Sequence, residues 1–535
     1  MVVPSDLPHS ASVKRGDILK SSMSNSASLN DSVIGSKGTV KGMLWCYLRF
    51  LFVTWRHALM SVSRSWTDPM VIWTTFAYSA TTTVILFFIL VFAIAIKLPI
   101  GRRLYERLTE NDLGLTTVNS FYPEIFSQAH KEVFSSAFTS MSKRRADSKS
   151  TAYERNFNLD IAKLLLVVSA LMYERQRPYP VGRNEQNAVI CDKFVIDVAR
   201  SYGLEYVAIT DVGSISSAIC GAFFSLNDNF IILAFKGTQP DDFHEWATDF
   251  SCDWTLATEY LRGYSYVHRG FYEALFPSRL EKGTLPYDVI RLALINIAQN
   301  LKARRRQTPA NNDGGDVHSG TEDPNEVQPI NIYVTGHSLG TATASMFFAR
   351  AIQRSGDFGP PGLIEIDDAY LFATPITVDV ASHAVFNSDM QCRSDEPPRT
   401  LWRITNKRDV VATGLPCFGE RAIFSTASAP NSSLNFCHLG QEIKLCDAPA
   451  LSRQGPGTLL RSGTRVKIVS DKASQQPGIT FNNYKGKWGV FLRYGEDIPL
   501  FGRIAQHCPA FYFRSLSHVR TTAKNESLPE AIFHL

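Results

Sequence analysis

The sequence predicts an α/β protein with a mostly parallel central sheet, preceded by an N-terminal transmembrane helix. Three observations carry this. The stretch "INIYVTGHSLGTATASMFFARAI" sets a G-x-S-x-G pentad between a β-branched apolar run and an Ala-rich run without Gly or Pro, which reads as strand, tight turn and helix. Further strand-like runs, "AYLFATPIT" and "TLWRITN", are separated by helix-like segments, the pattern of a largely parallel sheet. Upstream, Met70 to Ile96 carries no charged residue over 27 positions, where a tilted membrane span needs roughly 20.

At 535 residues the chain is too long for one ordinary core. Residues 1–42 are Ser-rich and aperiodic and read as a disordered tail. No apolar run lies near Met1, so no cleavable signal peptide is expected. Residues 43–98 form the membrane region. Within it, Met43 to Val62 carries Arg49 and Arg56 on one helical face, with aromatic and aliphatic residues elsewhere. That suits a helix lying in the membrane interface at 43–62; a weaker second span, making a hairpin with the transmembrane helix at 70–96, is the alternative. Lys97, Arg102, Arg103 and Arg107 follow the span and favour a cytosolic C-terminal side, whereas counting the whole tail reverses the bias, so orientation stays open. The expectation is a single-pass membrane protein, with an endomembrane such as the endoplasmic reticulum as one setting.

Residues 99–155 are mixed and polar and read as a linker containing "SKRRADSKS". The catalytic-type domain is expected over 156–535. It opens with a helix at "NLDIAKLLLVVSALMYERQ", for which Asn158 or Asp160 could serve as cap. A β-hairpin follows, with one strand ending at Ser225, a turn at "NDN" and a second strand from Phe230. "YDVIRLALINIAQNLKARRR" is an amphipathic helix with its basic residues at the C-terminal end, as the helix dipole prefers. The polar, turn-rich stretch at about 306–328 reads as a disordered insertion.

Composition excludes some classes. A net charge of +5 is small for this length, and no basic stripe with interleaved aromatics occurs, so no nucleic-acid partner is expected. There is no Cys-x-x-Cys and no Cys/His spacing of the zinc type, so no metal is expected; the serine chemistry considered below needs no other cofactor. Cys46 precedes the span and eight cysteines follow it, and spacing does not reveal pairing. Asn431 and Asn525 stand in glycosylation tripeptides that matter only in a lumenal domain. Nothing bears on oligomeric state.

A serine hydroxyl is a weak nucleophile. It needs an imidazole to take its proton, an acid to orient the imidazole, and N–H donors for the oxyanion. Ser338 at the centre of the pentad is the candidate nucleophile. The backbone N–H of Leu339, the next residue, is the first oxyanion donor. "VTGHSLG" resembles the class 3 lipase family of fungal triacylglycerol lipases and plant relatives. "ILAFKGTQPDDFHEWATDF", "VHRGFYEAL", "LFATPITVD", "WRITNKRDVVATGLP" and "FCHLGQEIKL" resemble further motifs of that family, in the same order. The likeness spans about Asn158 to Phe513.

The resemblance implies an α/β-hydrolase fold. It implies Asp409 as the triad acid, ahead of Asp367, Asp368 and Asp447, which lack a comparable setting. It favours His507, in "AQHCPAFYF", as the base, because the family's catalytic His shortly precedes an aromatic pair; His438 and His518 are the alternatives. It implies Thr238 as the second oxyanion residue, and a lid in the acidic and aromatic stretch after it, which includes Trp246. His337 is read as shaping the elbow. Two residues depart from the family. Lys236 stands where Arg is usual, and Thr341 where Gly is common, which would push the elbow outwards if that Gly served close packing. The implied function is a membrane-anchored serine lipase hydrolysing acyl-ester bonds of tri- or diacylglycerols, with lipid and the bilayer as its partners. A phospholipase or another carboxylesterase is the alternative. A catalytically inactive hydrolase fold used as a binding module is a third reading.

Overall fold

The computed structural model describes residues 39–64, 66–67, 69–101, 103, 131–142, 157–175, 186–210, 218–238, 243, 246–247, 250–251, 253–278, 284–307, 328–390, 399–406, 409–413, 436–447, 466–470, 503 and 506–517. Most of the expected tail and insertion, His518, Asn431 and Asn525 lie outside these residues.

Two long helices open the described chain, α1 (Val40–Arg64) and α2 (Pro69–Lys97). They pack antiparallel: the Tyr47 ring meets Phe87 at 6.3 Å and the Trp55 ring meets Phe76 at 6.1 Å. Tyr47 and Trp55 also donate to the carbonyl and hydroxyl oxygens of Thr83, both at 3.2 Å. The segment expected as an interfacial helix at 43–62 is helical within α1. Side chains spaced along α1 meet α2 in reverse order, so α1 runs along α2.

A correction concerns the linker. Inside 99–155 lies helix α3 (Lys131–Ser142), whose Phe134, Ala137 and Met141 are buried in the main core. Its apolar positions recur at intervals of three and four, a helical stripe the polar flanks disguise. The globular unit therefore starts before residue 156.

Helix α4 (Leu159–Leu171) begins at Asn158, whose side-chain oxygen accepts from the N–H groups of Asp160 and Ile161; of the two candidate caps, Asn158 serves. Helix α5 (Gln186–Ser201) leads to strand β1 (Glu205–Ala208). The expected hairpin is β2 (Cys220–Phe224) with β3 (Phe230–Phe235), antiparallel. Short strands β4 (Trp254–Leu256) and β5 (Tyr266–His268) follow, then helix α6 (Pro286–Gln307), β6 (Ile330–His337) and helix α7 (Leu339–Gln353). Next come β7 (Ile364–Phe372), β8 (Val378–Asp379), helix α8 (Val380–Met390) and β9 (Leu401–Asn406). The chain continues with β10 (Phe436–Cys437), β11 (Gln441–Asp447), β12 (Val466–Ser470) and helix α9 (Pro509–Ser517).

The main sheet has strand order β1-β2-β3-β6-β7-β9-β11-β12, and β3 onwards is parallel. A small antiparallel sheet, β10-β8-β5-β4, lies apart. Strand side chains alternate between faces. On β3, Phe230, Ile232 and Ala234 join α3, α4, α5 and α9 on one side, while Ile231, Leu233 and Phe235 join α6 and α7 on the other. The result is an α/β-hydrolase sandwich with both sheet faces buried, so that every residue of β3, β6 and β9 is buried and β3 is an unbroken apolar run. Strand β7 stops at Phe372, short of the expected Thr377, because Ala373 turns to φ 62°.

Phe134 is 2% exposed and its ring meets that of Tyr202, tilted, at 4.6 Å. Phe134→Ala should lower unfolding stability by about 3–5 kcal/mol, the usual cost of emptying a core phenylalanine site. A denaturant midpoint unchanged by the substitution would return this segment to the status of a linker.

Candidate active site

Parallel strands deliver their carboxyl ends to one edge of the sheet, and the candidate residues follow three neighbouring ends. In register, Phe235 of β3 stands beside Gly336 of β6, and His337 stands beside Phe372 of β7. Thr238 therefore leaves β3, and Ser338 leaves β6, on the same edge. Asp409 follows β9 on that edge, three residues after Asn406.

Ser338 occupies φ 55°, ψ −131°, a backbone conformation that side-chain-bearing residues rarely adopt. It is held by Ser338 N–H donating to Phe372 O at 2.9 Å and by Thr341 N–H donating to Ser338 O at 3.0 Å. The following glycine is a matter of space. A Cβ on Gly340 would lie 2.5 Å from Phe235 O and 2.7 Å from Lys236 O, so only a bare Cα lets α7 start flat against the end of β3. Thr341 does not push the elbow out. It is fully buried and its hydroxyl donates back to Ser338 O, because the close approach falls on Gly340 one residue earlier.

His507 lies in the turn before α9. Its Nε2 is 2.8 Å from Ser338 Oγ, and its Nδ1 is 3.0 Å from each oxygen of Asp409. The Asp409 carboxylate, 0% exposed, also accepts from Tyr512 OH at 2.6 Å and from Val411 N–H at 2.7 Å. Burial pushes this carboxyl upwards, but the charge and hydrogen bond of His507, with the bonds from Tyr512 and Val411, outweigh it and hold the group below its ordinary value. An acceptor-only carboxylate facing Nδ1 requires the ring proton there, leaving Nε2 to accept from the serine hydroxyl. A hydroxyl so placed can lose its proton to the imidazole as it attacks a carbonyl.

The loop bearing His507 is held from two sides. Asn406 Nδ2 donates to Gln506 O at 3.1 Å, and Ser515 Oγ donates to Asn406 Oδ1 at 2.8 Å. On the other side, His337 Nε2 stands 2.8 Å from His507 O, and Tyr173 OH stands 2.8 Å from His337 Nδ1. A carbonyl facing Nε2 requires a proton there, so Nδ1 accepts from the tyrosine. Burial, then the nearby His507, lowers His337 to about 3 and keeps it neutral. Tyr173 and Asn406 carried no sequence signal, and Tyr512 showed only as part of the aromatic pair in "AFYF".

The other candidates stand elsewhere. His438 is 1% exposed and its Nδ1 bonds Pro375 O at 3.0 Å, away from Ser338. Asp368 accepts from Thr400 N–H at 2.6 Å and Trp402 Nε1 at 3.1 Å, a structural anchor between β7 and β9. Thr238 is buried and Leu339 half-buried as the first residue of α7. Between Thr238 and β3, a Cβ on Gly237 would overlap Tyr173 Oη at 2.1 Å and His337 O at 2.5 Å, so this loop too is packed backbone against side chain. Lys236, the other departure, is 8% exposed and donates from Nζ to Arg175 O, which ties the loop after β3 to the segment after α4. Among the described residues no group of three or more His, Cys, Asp or Glu could hold a metal.

Residues 232–418 match the family described as Lipase (class 3). Similar solved structures include the Rhizomucor miehei triacylglyceride lipase, with 17% identity, 56% of this chain and 85% of that chain covered, and a TM-score of 0.33. A lipase from Rhizopus microsporus var. chinensis matches at 16% identity over 56% of this chain and 80% of that one, TM-score 0.32. A lipase from Yarrowia lipolytica matches at 14% over 56% and 83%, TM-score 0.32. No curated protein matches the chain.

The neutral His337 has a pH signature. An unfolded histidine takes up a proton near 6.5 and this folded one only near about 3, so between those values the unfolded state binds more protons. This contribution to stability is complete above about 6.5 and declines as pH falls towards 3. His337→Gln should make the acid side of a plot of Tm against pH shallower. An acid limb as steep as the parent's would mean that His337 does not fold as the neutral base.

Proposed function

We propose, on the premise that the chain belongs to the class 3 lipase family over residues 232–418, that it is a membrane-anchored serine lipase acting on acyl esters of glycerolipids, tri- and diacylglycerols first. Ser338 Oγ attacks the ester carbonyl carbon while its proton passes to His507 Nε2. The resulting imidazolium is stabilised by Asp409 across Nδ1. The N–H of Leu339, at the positive end of α7, and the N–H of Thr238 take the oxyanion. The imidazolium then protonates the leaving alcohol, and a water activated by the same ring releases the fatty acid from the acyl-enzyme. The observation that carries this reading is the single chain of contacts from Ser338 through His507 to a buried Asp409.

Membrane anchorage rests on α2. Thr75–Ala95 has a mean hydropathy of 2.2, and only 28% of that window is buried. A core helix of a soluble protein would be covered by protein, whereas this one exposes Phe87, Phe88, Val91 and Phe92. Hydrolysis of phospholipids is the second reading.

The protein should be labelled by a fluorophosphonate. Ser338→Ala should abolish labelling, and His507→Ala should lower ester turnover on the order of a millionfold. Asp409→Asn should lower it about ten-thousandfold by favouring the wrong tautomer. His438→Ala and His518→Ala should keep labelling. Full reactivity of the His507 variant would move the base elsewhere. Fatty-acid release from a panel of neutral lipids and phospholipids sets the substrate.

A further inference from the structure

Tyr173 takes no part in the proposed reaction, yet it touches the loops on both sides of the serine. It lies in the turn Met172–Glu174 that ends α4 and is 4% exposed. Its ring meets that of His337 edge-on at 5.7 Å, and its hydroxyl stands 2.8 Å from His337 Nδ1. The hydroxyl has no room to slide away. A Cβ on Gly237 would overlap Tyr173 Oη and lie 2.9 Å from Cζ, so the bare backbone of the loop after β3 closes on the end of this ring. The turn is fixed on its other side as well. Arg175 N–H donates to Met172 O at 3.3 Å, Arg175 Nη1 donates to Cys220 O at 3.3 Å, and Arg175 Nε pairs with Asp192 at 3.2 Å.

His337, 2% exposed, is bonded through both ring nitrogens. Nε2 faces His507 O and carries the proton, so Nδ1 can only accept, and it accepts from the Tyr173 hydroxyl. Without that hydroxyl, Nδ1 would be a buried acceptor facing no donor, which costs more than the bond itself contributes. Turning the ring about its Cβ–Cγ bond would relieve Nδ1 only by giving up His507 O. The consequence reaches the serine, because the same His507 holds Nε2 at 2.8 Å from Ser338 Oγ. The two imidazoles are also close, with ring centres 4.9 Å apart. Reacting groups tolerate little displacement: a misplacement of about 1 Å can cost on the order of a hundredfold in rate.

We propose that Tyr173 is a positioning residue for the base: its hydroxyl orients His337, which holds the His507 carbonyl and so keeps the His507 ring on Ser338. Tyr173 touches no reacting atom and acts through His337 alone. This rests on the proposed serine-hydrolase function and deepens it by adding a residue to the machinery that aims the base. The effect is bounded, because Asn406 and Asp409 keep their own hold on the base loop.

The test uses the full chain in detergent micelles, with a short-chain water-soluble ester and a fluorophosphonate. Tyr173→Phe keeps the ring and removes only the hydroxyl. The kcat for the ester and the rate of labelling should each fall about tenfold, the factor that one buried neutral hydrogen bond typically carries, with KM within about twofold of the parent. His337→Gln offers an N–H to His507 O but has no Nδ1 for the tyrosine. In that background Tyr173→Phe should change either rate by less than about twofold. The same fall in both backgrounds would mean that the hydroxyl acts through Gly237 or through the fold at large, and overturns the proposal. So does an unchanged kcat, or a fall carried by KM. The relay is read without catalysis from the nitrogen-15 spectrum of the full chain labelled at histidine. The His337 Nδ1 signal, identified by its loss in His337→Gln, should move downfield in Tyr173→Phe, as an unprotonated ring nitrogen does when it loses a donor. An unmoved signal overturns the proposal too. A parent that neither cleaves the ester nor takes the label defeats the serine-hydrolase reading instead, and the nitrogen spectrum still decides whether Tyr173 holds His337.

Discussion

The serine turn is the constraint on which the rest of the site depends. A residue at φ 55° cannot relax into either strand or helix, so its neighbours must hold it. Strand β7 accepts its N–H, α7 starts immediately behind it, and a glycine lets that helix press on the end of β3. The turn thus locks three sheet strands and one helix at a single point. The parallel register then decides what meets the serine, because β3 and β9 end at the same edge.

The proposed base comes from the far end of the chain, yet its backbone and its ring are separately controlled. Asn406 and His337 bond the carbonyls of Gln506 and His507, while Asp409 and Ser338 take the two ring nitrogens. Ring and backbone are bonded to different groups, so the orientation of the imidazole does not depend on one contact. Burial has opposite consequences for the two partners of His507. The Asp409 carboxyl stays ionised because it has donors on several sides. His337 stays neutral because burial, and after it the neighbouring His507, outweigh the pull of Asp409. A neutral His337 can direct one proton towards a carbonyl without adding a second charge beside the imidazolium of the proposed reaction.

Helices α1 and α2 also meet the segment after Thr238. Phe243 and Ala247 would be costly to leave in water, and Met43, Phe50, Leu86, Leu90 and Ala93 cover them.

Read alone, the sequence determined the elements whose signals are local. The strand-turn-helix around Ser338, the β2–β3 hairpin, helix α6 and the long apolar helix α2 all follow from side-chain period and turn chemistry over a few residues. Its motif order also singled out Asp409 and His507. Tertiary structure alone decided four further matters. It seats His507 and leaves His438 on Pro375 O, since hydrogen-bond partners 98 and 169 residues away leave no local trace. It brought Tyr173, Asn406 and Tyr512 to the site through packing of helices on a sheet. It made a core helix of 131–142, whose short apolar stripe is disguised by polar flanks. It packed α1 antiparallel on α2, because the partner of an amphipathic helix is set by tertiary contacts, and its own composition does not carry that information.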